Sequence, residues 1–179
     1  MTVTVRAPTP EDTDTLLAFL LRVPDGERSF FKEQSVDRET VAAWLAPEAS
    51  GRRAIAVDEA GEVVGQVAVV PLQGWSDHVA ETRLIVDPTR RREGIGRLLA
   101  RRALLDASEC GIRKLVVEVV AEQDGTVSMF EGLAFRAEGL LEDHVRDRDG
   151  RLQDLIVLAH SLADQSALMA AVGLDEAVR

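Results

Sequence analysis

The sequence predicts one domain of the α+β class, and three observations support that prediction. Strand-like and helix-like segments follow one another in the order β-α-α-β-β-β-α-β-α-β-β, with one more helix at the end. Turn signals at residues 58–61 and 147–150 join consecutive strands into hairpins, which makes those strands antiparallel. A chain of 179 residues, 46% of them hydrophobic, suits one ordinary core. We therefore expect a mixed, mostly antiparallel seven-stranded sheet flanked by helices.

The first half of the chain supplies a strand, two helices and a hairpin. Alternating β-branched residues at 3–6 predict the first strand. A helix is expected from Pro10 to just before Pro24, capped by Thr9 and with acidic residues in its first turn. Asp37 suits the N-cap of a second, shorter helix. Two β-rich runs within residues 52–72 then surround the first turn signal.

The second half supplies four strands and the remaining helices. Residues 78–88 predict a strand, and the helix that begins near Gly94 is expected to end before Gly111, a suitable C′ residue. A β-branched strand at 112–120 precedes a short helix, and two strands then surround the turn sequence DRDG. We treat residues 1–161 as the domain and residues 162–179 as a weakly amphipathic helical extension of it.

Composition narrows the function. The 31 acidic and 21 basic residues give a net charge of −10, which argues against nucleic acid or an anionic membrane as partner. The single cysteine, Cys110, cannot form an intramolecular disulfide, and the N-terminus lacks signal-peptide features. No apolar run approaches the roughly 20 residues of a membrane helix. We expect a cytoplasmic protein without a metal site.

Against this acidic background, residues 90–97 read RRREGIGR. They lie between a strand that ends at Val86 and a helix that begins near Gly94, where the unpaired N–H groups of the first helical turn can bind an anion. Gly94 and Gly96 would let a ligand approach the backbone closely. Leu99 breaks the dinucleotide pattern G-x-G-x-x-G, and no nucleotide phosphate loop occurs elsewhere. By itself the stretch fits a phosphate site or a simple tight connection.

The longer stretch LIVDPTRRREGIGRLLARRAL resembles the acetyl-CoA motif of the GNAT superfamily of N-acetyltransferases, Q/R-x-x-G-x-G/A after a strand ending V-x-P. The element order over about residues 3–160 also looks like the GNAT order. The resemblance implies direct transfer of an acetyl group from acetyl-CoA to a primary amine of a small molecule, protein or peptide. It also implies that the backbone of 92–97 holds the pyrophosphate and that Ile85 and Val86 pair with the pantetheine arm. The implied cofactor-binding residues are Ile85, Val86, Arg91, Arg92, Glu93, Gly94, Ile95, Gly96, Arg97, Gln123 and Phe130.

Attack on a thioester needs the free amine, so a general base is expected near it. In the GNAT superfamily a glutamate on the fourth strand often serves, and Glu81 lies close to that place. It is displaced by one residue, which would turn its side chain to the other face of the sheet unless a bulge intervenes. Glu118 and Glu122 on the next strand are alternatives, and His78 titrates in a convenient range. Each could equally be a solvated side chain.

The helix after the fifth strand departs from the family pattern N-x-x-A-x-x-x-Y-x-x-x-G-F. This chain reads QDGTVSMFEGLAF, with Phe130 in place of the tyrosine and no tyrosine anywhere in the protein. A thiol of pKa about 8.5 can leave as the thiolate, with water or Ser128 as proton donor. Phe130 is expected to pack against the pantetheine or in the core. The departures leave one alternative open, a catalytically impaired CoA-binding regulatory module.

Acceptor recognition is weakly marked. By resemblance, residues 25–35 and the turn between the last two strands border the acceptor. Phe30 and Phe31 would line that site or anchor their loop on the core. A cationic amine or a substrate carboxylate could be attracted by side chains of the last hairpin, namely Asp143, His144, Asp147, Arg146 and Arg148. A homodimer is possible through apolar residues of the C-terminal extension, which are Leu162, Leu168, Met169 and Val172.

Overall fold

The fold is taken from a computed structural model, which describes residues 2–24, 36–147, 149–162 and 172–173. The strands in these ranges are β1 Thr4–Arg6, β2 Arg52–Val57, β3 Val63–Pro71, β4 Val79–Val86, β5 Lys114–Val120, β6 Arg136–Arg146 and β7 Leu152–Ser161. The α-helices in the same ranges are α1 Thr13–Arg22, α2 Arg38–Leu45, α3 Ile95–Glu109 and α4 Asp124–Glu131. The predicted element order is thereby confirmed. Most of the predicted C-terminal helix lies outside the described residues.

Local signals act much as the sequence indicated. The Asp37 carboxylate accepts from the backbone N–H of Thr40 at 2.8 Å and caps α2. Gly61 and Gly111 have φ values of +83° and +73°, the left-handed conformation in which glycine carries no steric penalty. One detail differs, because Thr9 precedes a 3-10 turn, Pro10–Asp12, and α1 begins only after that turn.

The strands form one sheet in the order β1-β2-β3-β4-β5-β7-β6. Neighbours are antiparallel except for β4 and β5, which run parallel, so the predicted mixed and mostly antiparallel sheet is confirmed. The parallel ladder is short: it runs from Val79↔Lys114 to Thr82↔Val117. Beyond that point β4 continues beside β3, and β5 continues beside β7. The two strands therefore diverge, and a cleft opens between them.

Helices cover both faces of the sheet. On the α3 face, the buried side chains include Ala54, Val67, Ala80 and Val117, which pack with Leu99. On the opposite face, which we call the α1–α2 face, the buried side chains include Ile55 and Val63, packed with the helix residues Leu16, Phe19 and Val41. Side chains alternate between the two faces along a strand wherever its register is unbroken. These two clusters therefore show on which face the neighbouring residues of β2, β3 and β4 lie.

Close packing of α3 on the sheet depends on Gly65 in β3. A Cβ atom there would lie 2.9 Å from Leu99 Cδ1 and 3.0 Å from the carbonyl oxygen of Ile85. Among the residues of the C-terminal extension that the structure describes, Leu162 and Val172 pack against the main core. The division at residue 161 and the predicted dimer stay predictions.

Candidate active site

The cleft between the diverging strands has a volume of about 1210 Å³. The loop that precedes α3 closes one end, and Trp44 of α2 with Arg53 of β2 borders the other. Side chains of β5, α4 and β6 complete the walls. One continuous cavity therefore connects the arginine-rich loop with the middle of the α1–α2 face.

The loop at residues 91–94 is shaped to hold an anion. Arg91 has φ −67°, whereas Arg92 and Gly94 have φ +65° and +82°. Arg91 itself is extended, with ψ 158°, so the loop turns at Arg92 and Gly94, and successive backbone N–H groups in such a turn can form a nest, a concave site that binds anions. The first helical hydrogen bond runs from the N–H of Leu98 to the Gly94 oxygen at 3.1 Å, so the preceding N–H groups have no intrahelical acceptor. This geometry favours the phosphate site over the tight connection.

The two loop glycines have different structural reasons. A Cβ atom on Gly94 would meet nothing within 4 Å, so glycine is required there by the positive φ alone. A Cβ atom on Gly96 would lie 3.1 Å from the Sδ atom of Met129 in α4. Gly96 therefore allows α3 to pack closely on α4 at the wall of the cleft, a reason that the sequence analysis did not give.

The three consecutive arginines are not equivalent. Arg90 Nε donates to both carboxylate oxygens of Glu93, at 2.9 and 3.0 Å, and Arg90 Nη1 lies 3.3 Å from Asp58 in the β2–β3 turn. Its hydrogen bonds lower the pKa of Glu93. All three arginines line the cleft, and so does Arg97, whose Nη2 donates to the Gly132 carbonyl at 3.3 Å, but Arg90 is paired with two carboxylates, one of the loop and one of the turn. Arg90 therefore braces the loop, whereas the other arginines supply the positive charge at the cleft.

Glu93 was predicted among the cofactor-binding residues. Its carboxylate pairs with Arg90 and does not line the cleft, so only its backbone belongs to the nest. Ile85, Val86, Ile95 and Gly96 do line the cleft. Ile85 and Val86 belong to the part of β4 beyond the end of its ladder with β5.

Glu81 faces the cleft. The β3–β4 ladder runs without a break from Gly65↔Val86 to Pro71↔Ala80, so no bulge is present. Ala80 packs on the α3 face, and its neighbour Glu81 therefore lies on the α1–α2 face. The Glu81 side chain is 13% exposed and accepts from Arg83 Nη2 at 3.2 Å. The expectation that Glu81 would need a bulge to face the site is thus wrong.

The other sequence-predicted bases differ in position. Glu118 lies on the same face as Glu81 and lines the cleft, because the parallel register places Val116, two residues before it, opposite Glu81. Glu122 also lines the cleft and is 2.7 Å from Arg151 Nη2. The His78 side chain is 53% exposed and does not line the cleft.

The residues predicted on and before α4 divide between wall and exterior. Phe130 is buried in the core, edge-on to Phe135 with ring centroids 5.0 Å apart, and it also lines the cleft. Gln123 lines the cleft at the N-cap of α4. Ser128 is exposed and lies outside the cleft. Sequence reasoning missed Thr126, which lines the cleft four residues before Phe130, a helical spacing that places both on one face.

Sequence reasoning also missed the far end of the cleft. Arg53 stacks on Trp44, with Cζ 4.4 Å from the ring centroid, and Gln66 lies close by on β3. The signal for this site was a pair of arginines at the start of an otherwise apolar strand and a tryptophan on a short helix. Neither points to the cleft before the register of β2 and β3 is known.

The last hairpin contributes His144 and Arg146 to the cleft. A register shift in β6 includes Asp143, whose φ is +50°. Asp147 caps the turn, because its carboxylate accepts from the backbone N–H groups of Asp149 and Arg151 at 3.0 and 2.9 Å. The other residues predicted near the acceptor, Phe30, Phe31 and Arg148, lie outside the described residues.

Two kinds of feature are absent from the described residues. No group of three or more His, Cys, Asp or Glu side chains among them could hold a metal ion. Within those same ranges, no helix combines the length and the apolar character that crossing a membrane requires.

Comparisons with known proteins agree with this geometry. The sequence profile of the Acetyltransferase (GNAT) family matches residues 19–135. An L-amino acid N-acyltransferase, MnaT of Escherichia coli (strain K12), is 23% identical over 141 residues, which are 77% of this chain and 81% of that protein. A crystal structure of a GNAT superfamily phosphinothricin acetyltransferase from Sinorhizobium meliloti in complex with acetyl-CoA has a TM-score of 0.77 and 18% identity, covering 90% of this chain and 89% of that one.

A ribosomal-protein-alanine N-acetyltransferase from Brucella melitensis has a similar fold, with a TM-score of 0.76 and 23% identity over 89% of this chain and 99% of that one. The profile match covers more than half of the sequence, and the solved structures share the fold of this chain. This chain therefore belongs to the acetyltransferase (GNAT) family, as its loop and element order predicted, and it is an N-acetyltransferase.

Proposed function

We propose that the protein transfers the acetyl group of acetyl-CoA directly to a primary amine of a small molecule, a peptide or a protein. The observation that carries this proposal is one continuous cleft with an anion-binding nest at one end and the Glu81 carboxylate further in. The alternative of an impaired regulatory module is weaker, because Glu81 faces the cleft and only the missing tyrosine still favours it.

The cleft fits the co-substrate in two places. The N–H groups of residues 92–97 would hold the pyrophosphate, with charge from Arg91, Arg92 and Arg97. The main-chain groups of Val86 face the gap between the strands, where an extended arm with amide groups can hydrogen-bond to a strand edge, whereas Ile85 is paired with Gln66 of β3 and contributes its side chain to the wall. Acetyl-CoA bound in the relative from S. meliloti supports this assignment.

Glu81 is the proposed general base. The co-substrate supplies a thioester, whose carbonyl carbon the amine nitrogen attacks as the C–S bond breaks and the thiolate leaves. The Glu81 carboxylate takes a proton from the amine, directly or through water. Arg83, at 3.2 Å, holds that carboxylate in place. Water supplies the proton to the thiolate in this scheme, because Phe130 has no hydroxyl and Ser128 lies outside the cleft.

The first test is the thermal midpoint of the protein with and without acetyl-CoA. Saturation at about 100 times Kd should add about 2.7 kcal/mol, on the order of 5–10 °C for a domain of this size. A thiol-release assay with a panel of amines should then detect turnover. No thermal shift together with no thiol release would overturn the proposal. The cytoplasmic location and the homodimer stay predictions.

A further inference from the structure

The end of the cleft far from the arginine-rich loop contains an arginine of its own, Arg53. Arg53 lines it, with its guanidinium stacked on Trp44. We infer that the acceptor amine also carries a carboxylate and that Arg53 binds this carboxylate, so that free amino acids are the substrate class. This inference rests on the proposed function, since it identifies the acceptor of the same site.

The strand register places Arg53 toward the acceptor. Arg53 pairs with Ala68, and Ala68 pairs with Arg83, so the three residues form a row across β2, β3 and β4. All three lie on the α1–α2 face, as do Ile55 and Ile85, which are two residues further along β2 and β4. The central residue, Ala68, is buried and does not line the cleft, so Arg53 and Arg83 are the two members of this row that face it.

Stacking prepares Arg53 for a carboxylate. The indole contacts the face of the guanidinium, whereas bidentate carboxylate binding uses the N–H groups at its edge. Both interactions can be made at once, and the ring limits the rotation of a long side chain. Arg83 is engaged differently, because it donates to Glu81 at 3.2 Å. Arg83 thus positions the base, and Arg53 binds the acceptor.

Gln66 adds an independent observation. It lines the cleft, it is 9% exposed, and its Oε1 atom has no hydrogen-bond partner among the described residues. Buried polar atoms are almost always hydrogen-bonded, so an unsatisfied one at a cleft wall indicates a ligand group. Gln66 lies one pleat along β3 from Ala68, between Ile55 and Ile85. A hydrogen-bond donor on a bound ligand would satisfy this oxygen.

The separation of base and cation limits the acceptor. Arg53 and Glu81 are two strands and two residues apart, about 12 Å between their Cα atoms at ordinary strand spacings. Both long side chains can lean into the space between, which leaves room for an amine and a carboxylate separated by a few bonds. A free amino acid carries its α-carboxylate at that distance, whereas in a peptide the same group of the N-terminal residue has become an amide.

The inference can be tested by binding alone. The chain has two tryptophans, and Trp75 is 96% exposed on a turn outside the cleft. The W75F variant therefore leaves Trp44 as the sole tryptophan, in contact with Arg53. CoA-saturated W75F would be titrated with glycine, alanine, methionine, phenylalanine, glutamate and arginine, and with the amide of each. At least one free acid should change the Trp44 fluorescence saturably, with an affinity at least 10-fold above that of its amide.

Arg53→Gln in the same background should remove this preference, and Arg53→Lys should restore it only in part, because a lysine cannot bind a carboxylate bidentately. Arg52→Gln is the matched control: Arg52 is the adjacent residue, exposed, and its Nε lies 3.4 Å from Cys110 Sγ. It should behave like the parent. The thermal midpoint of each variant shows whether it folds.

Several results would overturn the inference. They are a response to none of the free acids, equal affinity for acids and amides, or an unchanged preference in a folded Arg53→Gln variant. Failure of the proposed function looks different, since acetyl-CoA then gives no thermal shift. If acetyl-CoA binds and thiol is released with amides or peptides as readily as with free acids, the proposed function stands and the carboxylate site does not.

Discussion

The guanidinium of Arg90 lies between Glu93, three residues further along the same loop, and Asp58, 32 residues earlier in the β2–β3 turn. Its side chain is 14% exposed. An arginine that at first suggests phosphate binding thus connects the loop to the sheet. Residues 91–94 are proposed to bind the co-substrate, and we expect their conformation, with positive φ at Arg92 and Gly94, to depend on this connection.

Arg90→Gln should therefore weaken acetyl-CoA binding about 5–10-fold, although Arg90 does not bind the phosphates in our scheme. Asp58→Asn should weaken it in the same direction, while its side-chain oxygen can still accept the turn N–H groups of Ala60 and Glu62. Calorimetric titration with acetyl-CoA measures both. An unchanged affinity in a folded Arg90→Gln variant would limit Arg90 to a role in stability.

Glu81→Gln should lower kcat about 100–1000-fold at neutral pH, because a positioned general base contributes a factor of this order. The KM for acetyl-CoA should change little, since Glu81 lies away from the nest. Glu118→Gln is the matched control, as a second carboxylate on the same face of the cleft. Steady-state kinetics of both variants decides between them, and a larger loss in Glu118→Gln would assign the base to β5.

Gly94→Ala and Gly96→Ala should lower stability for different reasons. Gly94→Ala adds a Cβ atom to a residue in the left-handed conformation, which should lower the free energy of unfolding by about 1 kcal/mol. Gly96→Ala meets Met129, so Met129→Ala should partly relieve it, with a coupling energy of about 0.5 kcal/mol or more. Denaturant unfolding of the single and double variants measures this coupling. The pair Gly94→Ala and Met129→Ala should be additive, and coupling there would contradict the assignment.

Asp12 should make the protein less stable in acid. Its hydrogen bonds to Arg6, at 2.7 Å, lower its pKa to about 2, below the value of the unfolded chain. The folded state therefore gains stability from ionised Asp12 above about pH 4, and this gain disappears as the pH falls toward 2. Because solvent screens the half-exposed Arg6, we expect ionised Asp12 to contribute only about 1 kcal/mol to the free energy of unfolding.

Asp12→Asn removes this ionisation. The stability difference between the parent and the variant, measured by urea unfolding, should be largest near pH 6 and shrink between pH 4 and pH 2. Asp14→Asn is a suitable control, because Asp14 is exposed and pairs with an exposed arginine, Arg38. If the stability difference between the parent and Asp12→Asn stays constant between pH 6 and pH 2, the effect of Asp12 does not come from its ionisation.

Local sequence patterns predicted the element order, the α2 cap and the position of the loop before α3, because each depends on neighbouring residues. The far end of the cleft could not be predicted, since Trp44, Arg53 and Gln66 meet only through the pairing of β2 with β3 and the packing of α2. The role of Arg90 depends on a partner across the fold. Ser128, an alternative to water as proton donor, is exposed outside the cleft, because the side of α4 that meets the cleft depends on how the helix packs.

The short β4–β5 ladder divides the sheet into two blocks, β1–β4 and β5–β7, joined along the strands only between Val79–Thr82 and Lys114–Val117. In the proposed complex, pantetheine amides bind the backbone edges that face each other beyond Thr82 and Val117, so that the co-substrate completes the hydrogen bonding between the two blocks. Amide hydrogen exchange at residues 84, 86, 118 and 120, whose N–H groups face the gap, should therefore slow on binding, as expected where a small molecule finishes a protein's own hydrogen-bond network.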